Sequence, residues 1–272
     1  MAVTMADIQK LRTMTGAGMM DCKNALSEAI GDIEKAIELI RKRGQAIAAK
    51  RSDREASEGC VLAGINGNFA AIVAVKCETD FVAKNADFVG LTQKILDIAL
   101  KEQPASSEAL LAIKIDGRTI QELITERSGV TGEKMELGYY EFVKGNSVVE
   151  YNHTGNKLST IVAFEQSMVE RQVARDIAMQ VASMNPIALS KENVPEKVIK
   201  QELEIGRDKA RQEGKPENML DRIAEGRLAK FFQESTLLAQ EFIKDNKLTI
   251  EQYAKSNNAM PIDFKRITLN QD

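Results

Sequence analysis

A nucleophilic or metal-dependent mechanism in this chain would have to be assembled around one histidine, His153, and three cysteines, Cys22, Cys60 and Cys77. A single imidazole excludes zinc sites of the two-His kinds and confines any Ser–His or Cys–His mechanism to His153. The cysteines match neither C-x-x-C nor a secreted disulfide framework. Each lies in an apolar stretch or beside a strand, where a buried thiol is the default and a nucleophile is not. His153 sits in the polar turn Tyr151-Asn152-His153-Thr154-Gly155, a setting that suits an exposed contact residue as well as an idle one. No G-x-x-x-x-G-K-[ST] occurs, and Gly16-Ala17-Gly18-Met19-Met20 stops short of G-x-G-x-x-G and follows a helix instead of a strand. The residues therefore predict a protein that is not an enzyme, with no catalytic group, no cofactor and no metal of its own.

One segment departs from ordinary surface chemistry. Cys77-Glu78-Thr79-Asp80-Phe81-Val82-Ala83-Lys84-Asn85 joins a strongly apolar strand to a helix that begins near Asn85. Strand-to-helix loops lie at the surface, yet Phe81-Val82 puts apolar bulk there. Two fates are open to Phe81. It stands out as a contact residue, or it tucks back as a hydrophobic staple on the following helix.

The elements that must position these residues belong to a globular chain. It has 272 residues, 43% apolar and 28% charged, enough for two or three domains. With 37 basic against 40 acidic residues the net charge is −3, so a generic electrostatic grip on nucleic acid is not expected. No charged region leads into an apolar stretch at Met1, and no window holds the ~18 apolar residues of a membrane span. A reducing cytoplasm is the expected compartment, with no membrane partner.

Thr4 and Asp7 have the form of a capping box ahead of Ile8 and Leu11. Met19, Cys22, Leu26 and Ala29 repeat at helical spacing, as do Ile33, Ala36, Ile37 and Ile40, with Gly44 as the expected cap. These three short helices form a mini-bundle too small to be very stable alone, which suits a docking module. Arg41 to Glu55 carries Arg41, Lys42, Arg43, Lys50, Arg51 and Arg54 without aromatic residues between them, and reads as a solvated helical linker more than an RNA-facing patch.

From Cys60 the period changes. Val61–Ile65 and Phe69–Val75 flank Asn66-Gly67 as a hairpin with a primed turn. Helices follow at Phe88–Ala99 and Ile120–Ile124, completing an α+β unit. The alternation Leu137, Tyr139, Glu141, Val143, then Gly155-Asn156 leading into Ile161–Phe164 and a helix over Val169–Met184, repeats that plan and predicts two related α+β halves. Between Pro195 and Phe232, Ile199, Leu203, Gly206 and Ala210, then Leu220, Ala224, Leu228 and Phe231, form two apolar seams separated by Gly214-Lys215-Pro216. Nine basic and eight acidic residues from Glu196 to Lys230 leave the outer faces nearly neutral. This predicts a projecting antiparallel helical hairpin, with two ordinary surface helices as the alternative.

Thr15-Gly16-Ala17-Gly18-Met19-Met20-Asp21-Cys22-Lys23 and Thr79-Asp80-Phe81-Val82-Ala83-Lys84 resemble the two signature stretches of bacterial elongation factor Ts. Gly31-Asp32, Ile177-Ala178-Met179, Gly214-Lys215-Pro216 and Glu225-Gly226-Arg227 extend the resemblance over nearly the whole chain. It implies an α+β protein with an N-terminal three-helix ubiquitin-associated-like bundle and linker (1–55). A core subdomain (56–136), a second one (137–190, completed by 233–264), a coiled-coil hairpin (191–232) and a C-terminal tail (265–272) follow.

The same resemblance implies a guanine-nucleotide exchange factor whose partner is elongation factor Tu, GDP-bound and nucleotide-free. Thr79, Asp80, Phe81 and Val82 would approach that partner and disturb its Mg²⁺ site, with Lys23, Gly132, His153 and Ile243 as further contacts. Thr131, before Gly132, and Lys244, after Ile243, stand where the family pattern has apolar residues, and the chain ends at Asp272 without the last helical module of longer members. A ribosome- or RNA-associated binding protein without exchange activity is the alternative. It would use Arg41–Arg54 and the charged arm and show strongly salt-dependent RNA binding, against which the acidic balance argues.

Overall fold

The computed structural model describes residues 3–270 as two compact units. One takes the described residues up to Leu62, then Val73–Tyr140 and Leu269 onward; the other takes Ala63–Ile72 and Glu141–Thr268.

The first unit opens with α1 (Met5–Thr15), α2 (Met19–Glu28) and α3 (Ile33–Lys50). The capping box forms as read: Thr4 accepts the Asp7 N–H at 3.2 Å, and Asp7 accepts the Thr4 N–H at 3.1 Å. Ile8, Leu11, Cys22, Ala25, Leu26 and Ala36 make the bundle core, with Ile33, Ile37 and Ile40 packed on it. Met19, assigned to that stripe, is exposed instead: as the first residue of α2 it sits at the open end of the helix.

Gly44 caps nothing; α3 runs through it to Lys50. A capping glycine adopts the left-handed conformation, as Gly16 does at φ 68°, and Gly44 does not. Its missing side chain serves packing instead: a Cβ on Gly129 would lie 2.1 Å from the Gly44 Cα. The basic segment is helical as far as Lys50 and largely solvent-exposed, as read, and its three half-exposed arginines are paired. Arg41 pairs with Glu126 at 3.1 Å, Arg51 with Glu78 at 3.2 Å, and Arg43 with Glu28.

β1 (Glu58–Asn66) and β2 (Phe69–Cys77) form the hairpin, followed by α4 (Asp80–Ala83), α5 (Ala86–Glu102), α6 (Ser107–Ala112), β3 (Lys114–Ile115), β4 (Arg118–Thr119), α7 (Ile120–Thr131) and β5 (Glu136–Lys144). The turn is Gly67-Asn68, one residue later than read. Only Gly67 takes positive φ, at 61°, the pattern of a type II′ turn. β5 was expected to open the second half but completes the first sheet, in the order β1-β2-β5. Gly138 permits that approach, since a Cβ there would meet Lys76 Cδ at 2.4 Å. As the central strand, β2 is apolar on both faces, which explains its unbroken run Phe69–Val75.

The second unit contains β6 (Ser147–Asn152), β7 (Leu158–Phe164), α8 (Arg171–Met184), α9 (Glu196–Gln212), α10 (Leu220–Ser235), β8 (Glu241–Phe242), β9 (Asp245–Thr249), α11 (Ile250–Ser256) and β10 (Pro261–Thr268). Its sheet runs β10-β7-β6, again a hairpin with a third strand beside the hairpin's second. Residues 265–268 are therefore no tail. They pair antiparallel with Ile161, Thr160, Ser159 and Leu158 in turn, which gives central β7 its second neighbour; Gln271 and Asp272, the end of that expected tail, lie outside the described residues. α8 covers the sheet through Val173, Ile177 and Val181, packed with Val162 and Phe164. α9 and α10 pack antiparallel: Arg207 meets Asp221 at 2.6 Å, Arg211 meets Glu217 at 3.1 Å, and a Cβ on Gly206 would lie 3.1 Å from the Ala224 Cα.

The α3–α7 contact yields a test by urea denaturation. Gly129→Ala forces two backbones apart and should cost about 1–3 kcal/mol. Gly90→Ala, in α5 with nothing within 4 Å of the added carbon, should instead add about 0.5–1 kcal/mol through helix propensity.

Candidate functional site

The segment after β2 is not an open loop. Thr79 is extended at φ −123°, ψ 154°, and its hydroxyl accepts the Val82 N–H at 3.4 Å, so Asp80–Ala83 closes into one helical turn. Lys84 ends the turn, and Asn85 starts α5 by accepting the Asp87 N–H at 2.9 Å. Ala83 faces the interior and Val82 is half-buried, which leaves Phe81 on the opposite side, 84% exposed. The staple alternative is thereby excluded. Burying such a side chain is worth roughly 1.5–3 kcal/mol, and Phe88, seven residues on, is fully buried. Asp80 is paired with Lys84 at 2.7 Å on the turn's surface.

A second segment holds this turn in place. Gly132 ends α7 in the left-handed conformation at φ 74°, donating its N–H to the Ser128 carbonyl at 2.9 Å, and so turns Glu133 toward residues 78 and 79. One Glu133 oxygen, Oε2, accepts the N–H groups of Glu78 (3.2 Å) and Thr79 (3.1 Å); the other, Oε1, accepts the Thr79 hydroxyl at 2.6 Å. In return, Glu78 accepts the Lys134 N–H at 2.6 Å and an Arg51 N–H at 3.2 Å. The Thr131 hydroxyl accepts the Glu133 N–H at 3.3 Å.

Cys77 closes the arrangement, donating its thiol proton to the Thr79 carbonyl at 3.3 Å. Burial, and then the nearby charges of Glu133 and Glu58, push this thiol up to about 12. Burial raises Cys60 to about 11 and also raises Cys22. All three are buried thiols without nucleophilic character.

Of the other residues singled out, Gly132 lies in this clasp with open space beside its Cα, and Lys23 is exposed on α2 of the same unit. His153 and Ile243 belong to the second unit. His153 is exposed in the β6–β7 turn, its Nδ1 2.8 Å from the Tyr151 hydroxyl. Ile243 is 41% exposed between β8 and β9. Its N–H donates to buried Gln180 at 2.9 Å, and Lys244 beside it pairs with buried Asp176 at 2.7 Å. Sequence reading missed Glu133, Glu78, Gln180 and Asp176. The only linear hint was an acidic residue directly after a helix-ending glycine. Among the described residues no cluster of His, Cys, Asp and Glu could hold a metal ion, and no helix is long and apolar enough to cross a membrane.

Comparison with known proteins bears on the whole chain. The family model described as Elongation factor TS matches residues 78–271, beginning at the clasp residue Glu78. An elongation factor Ts of Porphyromonas gingivalis is 62% identical over the full length of both chains. One of Amoebophilus asiaticus is 53% identical over 98% of this chain and 99% of its own, and one of Bacteroides fragilis is 44% identical over all of both.

Exposure of Phe81 has a direct consequence for stability. In urea unfolding Phe81→Ala should stay within about 0.5 kcal/mol of the parent, whereas Phe88→Ala should cost about 3–5 kcal/mol. A comparable loss for both would mean that the Phe81 ring packs into the protein.

Proposed function

The chain belongs to the elongation factor Ts family, and from that premise we propose that it is a guanine-nucleotide exchange factor of translation elongation, acting on elongation factor Tu in the cytoplasm. In this reading α1–α3 are a ubiquitin-associated-like docking bundle, the two sheets with their helices are related core subdomains, and α9–α10 are a coiled-coil arm. The factor makes and breaks no covalent bond. It binds GDP-loaded elongation factor Tu, favours the nucleotide-free form, and is released when nucleotide returns.

The energetics are those of linkage. A factor that lowers its partner's affinity for nucleotide must itself be bound less tightly once nucleotide rebinds, by the same ratio. In the partner, Mg²⁺ bridges phosphate charge, so shifting that ion removes a large electrostatic share of the hold on GDP. Phe81 is the wedge in this account: a rigid aromatic ring that loses little entropy on insertion. Asp80 accompanies it. Its pair with Lys84 is solvent-exposed, and such i,i+4 pairs contribute only about 0.3–0.5 kcal/mol. Thr79 and Val82 shape the turn. Lys23, Gly132, His153 and Ile243 supply further contacts; Lys23, a single surface ammonium, tunes association more than it anchors it.

One observation carries this reading: an aromatic ring 84% exposed on a turn whose flanking backbone is tied down by hydrogen bonds. A fluorescent GDP analogue released from elongation factor Tu by catalytic amounts of this protein supplies the test. The protein should accelerate release, and Phe81→Ala should reduce the acceleration about tenfold or more, corresponding to about 1.4 kcal/mol. With Mg²⁺ chelated, parent and variant should converge, because the ion is already gone. Absence of acceleration by the parent would sink the proposal, and a difference that persists without Mg²⁺ would sink the route through the ion.

A further inference from the structure

We infer that Glu133 is a positioning residue for exchange: its carboxylate holds the Thr79–Val82 turn in the conformation that presents Phe81, without itself meeting the partner. The inference rests on the reading of Phe81 as the wedge, and its argument begins with the size of α4. Four residues make one turn, and forming a first helical turn in isolation is unfavourable by about three orders of magnitude in the nucleation constant. The local cap does not offset that. The Thr79 Oγ1···Val82 N distance of 3.4 Å lies beyond the usual range for such a bond.

The remaining fixation comes from 54 residues further along the chain. Two consecutive backbone N–H groups, those of Glu78 and Thr79, converge on Oε2, while Oε1 takes the Thr79 hydroxyl at 2.6 Å and so sets which way its lone pairs face Val82. Bonds to an ionised acceptor are roughly twice as strong as neutral ones. Glu133 is in turn anchored at both ends of its own backbone: its N–H reaches the Thr131 hydroxyl, and its carbonyl accepts from the Ser128 hydroxyl. It is only partly exposed. Its carboxylate is thus engaged with residues 78 and 79, whereas Phe81 points to solvent.

A role exercised through Phe81 predicts non-additivity. Glu133→Ala, Glu133→Gln, Phe81→Ala and the double variant Phe81→Ala/Glu133→Ala are compared as full chains. The readouts are accelerated release of fluorescent GDP from elongation factor Tu, thermal unfolding, and amide hydrogen exchange of the free protein. Glu133→Ala should reduce the acceleration about tenfold, and the double variant should be no more than about twofold slower than Phe81→Ala alone. Glu133→Gln keeps one oxygen for the two amides, and its NH₂ can donate to the Thr79 hydroxyl, so it should stay within about threefold of the parent.

Amide protection at Val82 and Ala83 should fall selectively in Glu133→Ala, with Phe88 and Ile95 unaffected. Losses that multiply in the double variant, unchanged protection at Val82 and Ala83, or a Glu133→Gln as impaired as Glu133→Ala would each overturn the inference. A global drop in protection from Glu133→Ala would overturn it as well, by making the residue a general stabiliser. If Phe81→Ala alone leaves exchange untouched, the wedge reading fails, and selective protection at Val82 and Ala83 still decides whether Glu133 holds the turn.

Discussion

A lone turn of helix in water melts, because it fixes several backbone torsions in return for a single hydrogen bond. The candidate site of this protein is built on such a turn, and it persists because two stretches of backbone exchange carboxylate–amide bonds: Glu133 receives residues 78 and 79, and Glu78 receives residue 134. Gly132 makes that exchange possible by reversing the chain at the end of α7, and buried Cys77 adds a donor from the end of β2. The outcome is an exposed aromatic ring with an ordered base. Rigidity and exposure together are what the proposed wedge requires, since a ring on a floppy loop would lose ordering entropy on insertion.

The same device recurs in the second unit with different groups. There Gln180 and Asp176, four residues apart on one face of α8, hold the backbone and the flanking lysine of the turn that exposes Ile243. In both units an apolar tip is presented by polar groups that are themselves buried or partly buried. Thr131 and Lys244 take part in these supports. A polar side chain is tolerated where its donor or acceptor finds a partner.

Glycine illustrates how the same residue type carries opposite meanings. Gly16 and Gly132 end helices through positive φ, whereas Gly44 and Gly129 lie inside helices and let α3 and α7 touch backbone to backbone. Read along the chain, Gly44 has the look of a stop, because the partner that explains it is 85 positions away. β5 presents a similar difficulty. Its alternation announces a strand, but alternation says which face is buried, not which neighbour it pairs with. Its place beside β2 is settled by tertiary pairing, with Gly138 lying against the Lys76 side chain.

Local chemistry alone was enough for many of the elements, though not for the turn α4 or the strand β10. Capping residues at Thr4 and Asp32, the helical stripes of α1–α3, the hairpin turn to within one residue, the apolar runs of β2 and β7, and the paired seams of α9 and α10 are all encoded by neighbours within a few positions. The segment Thr79–Val82 stood out for the same reason, as apolar bulk where surface chemistry is expected. Contacts between distant positions settled the rest: that Phe81 faces water, that β5 and residues 265–268 complete two sheets, and that Glu133 reaches back across 54 residues to the turn. Torsional preferences and hydrophobic periods act over one or two turns of chain, while the direction of a side chain and the partner of a carboxylate depend on which distant backbone folding brings within about 3 Å.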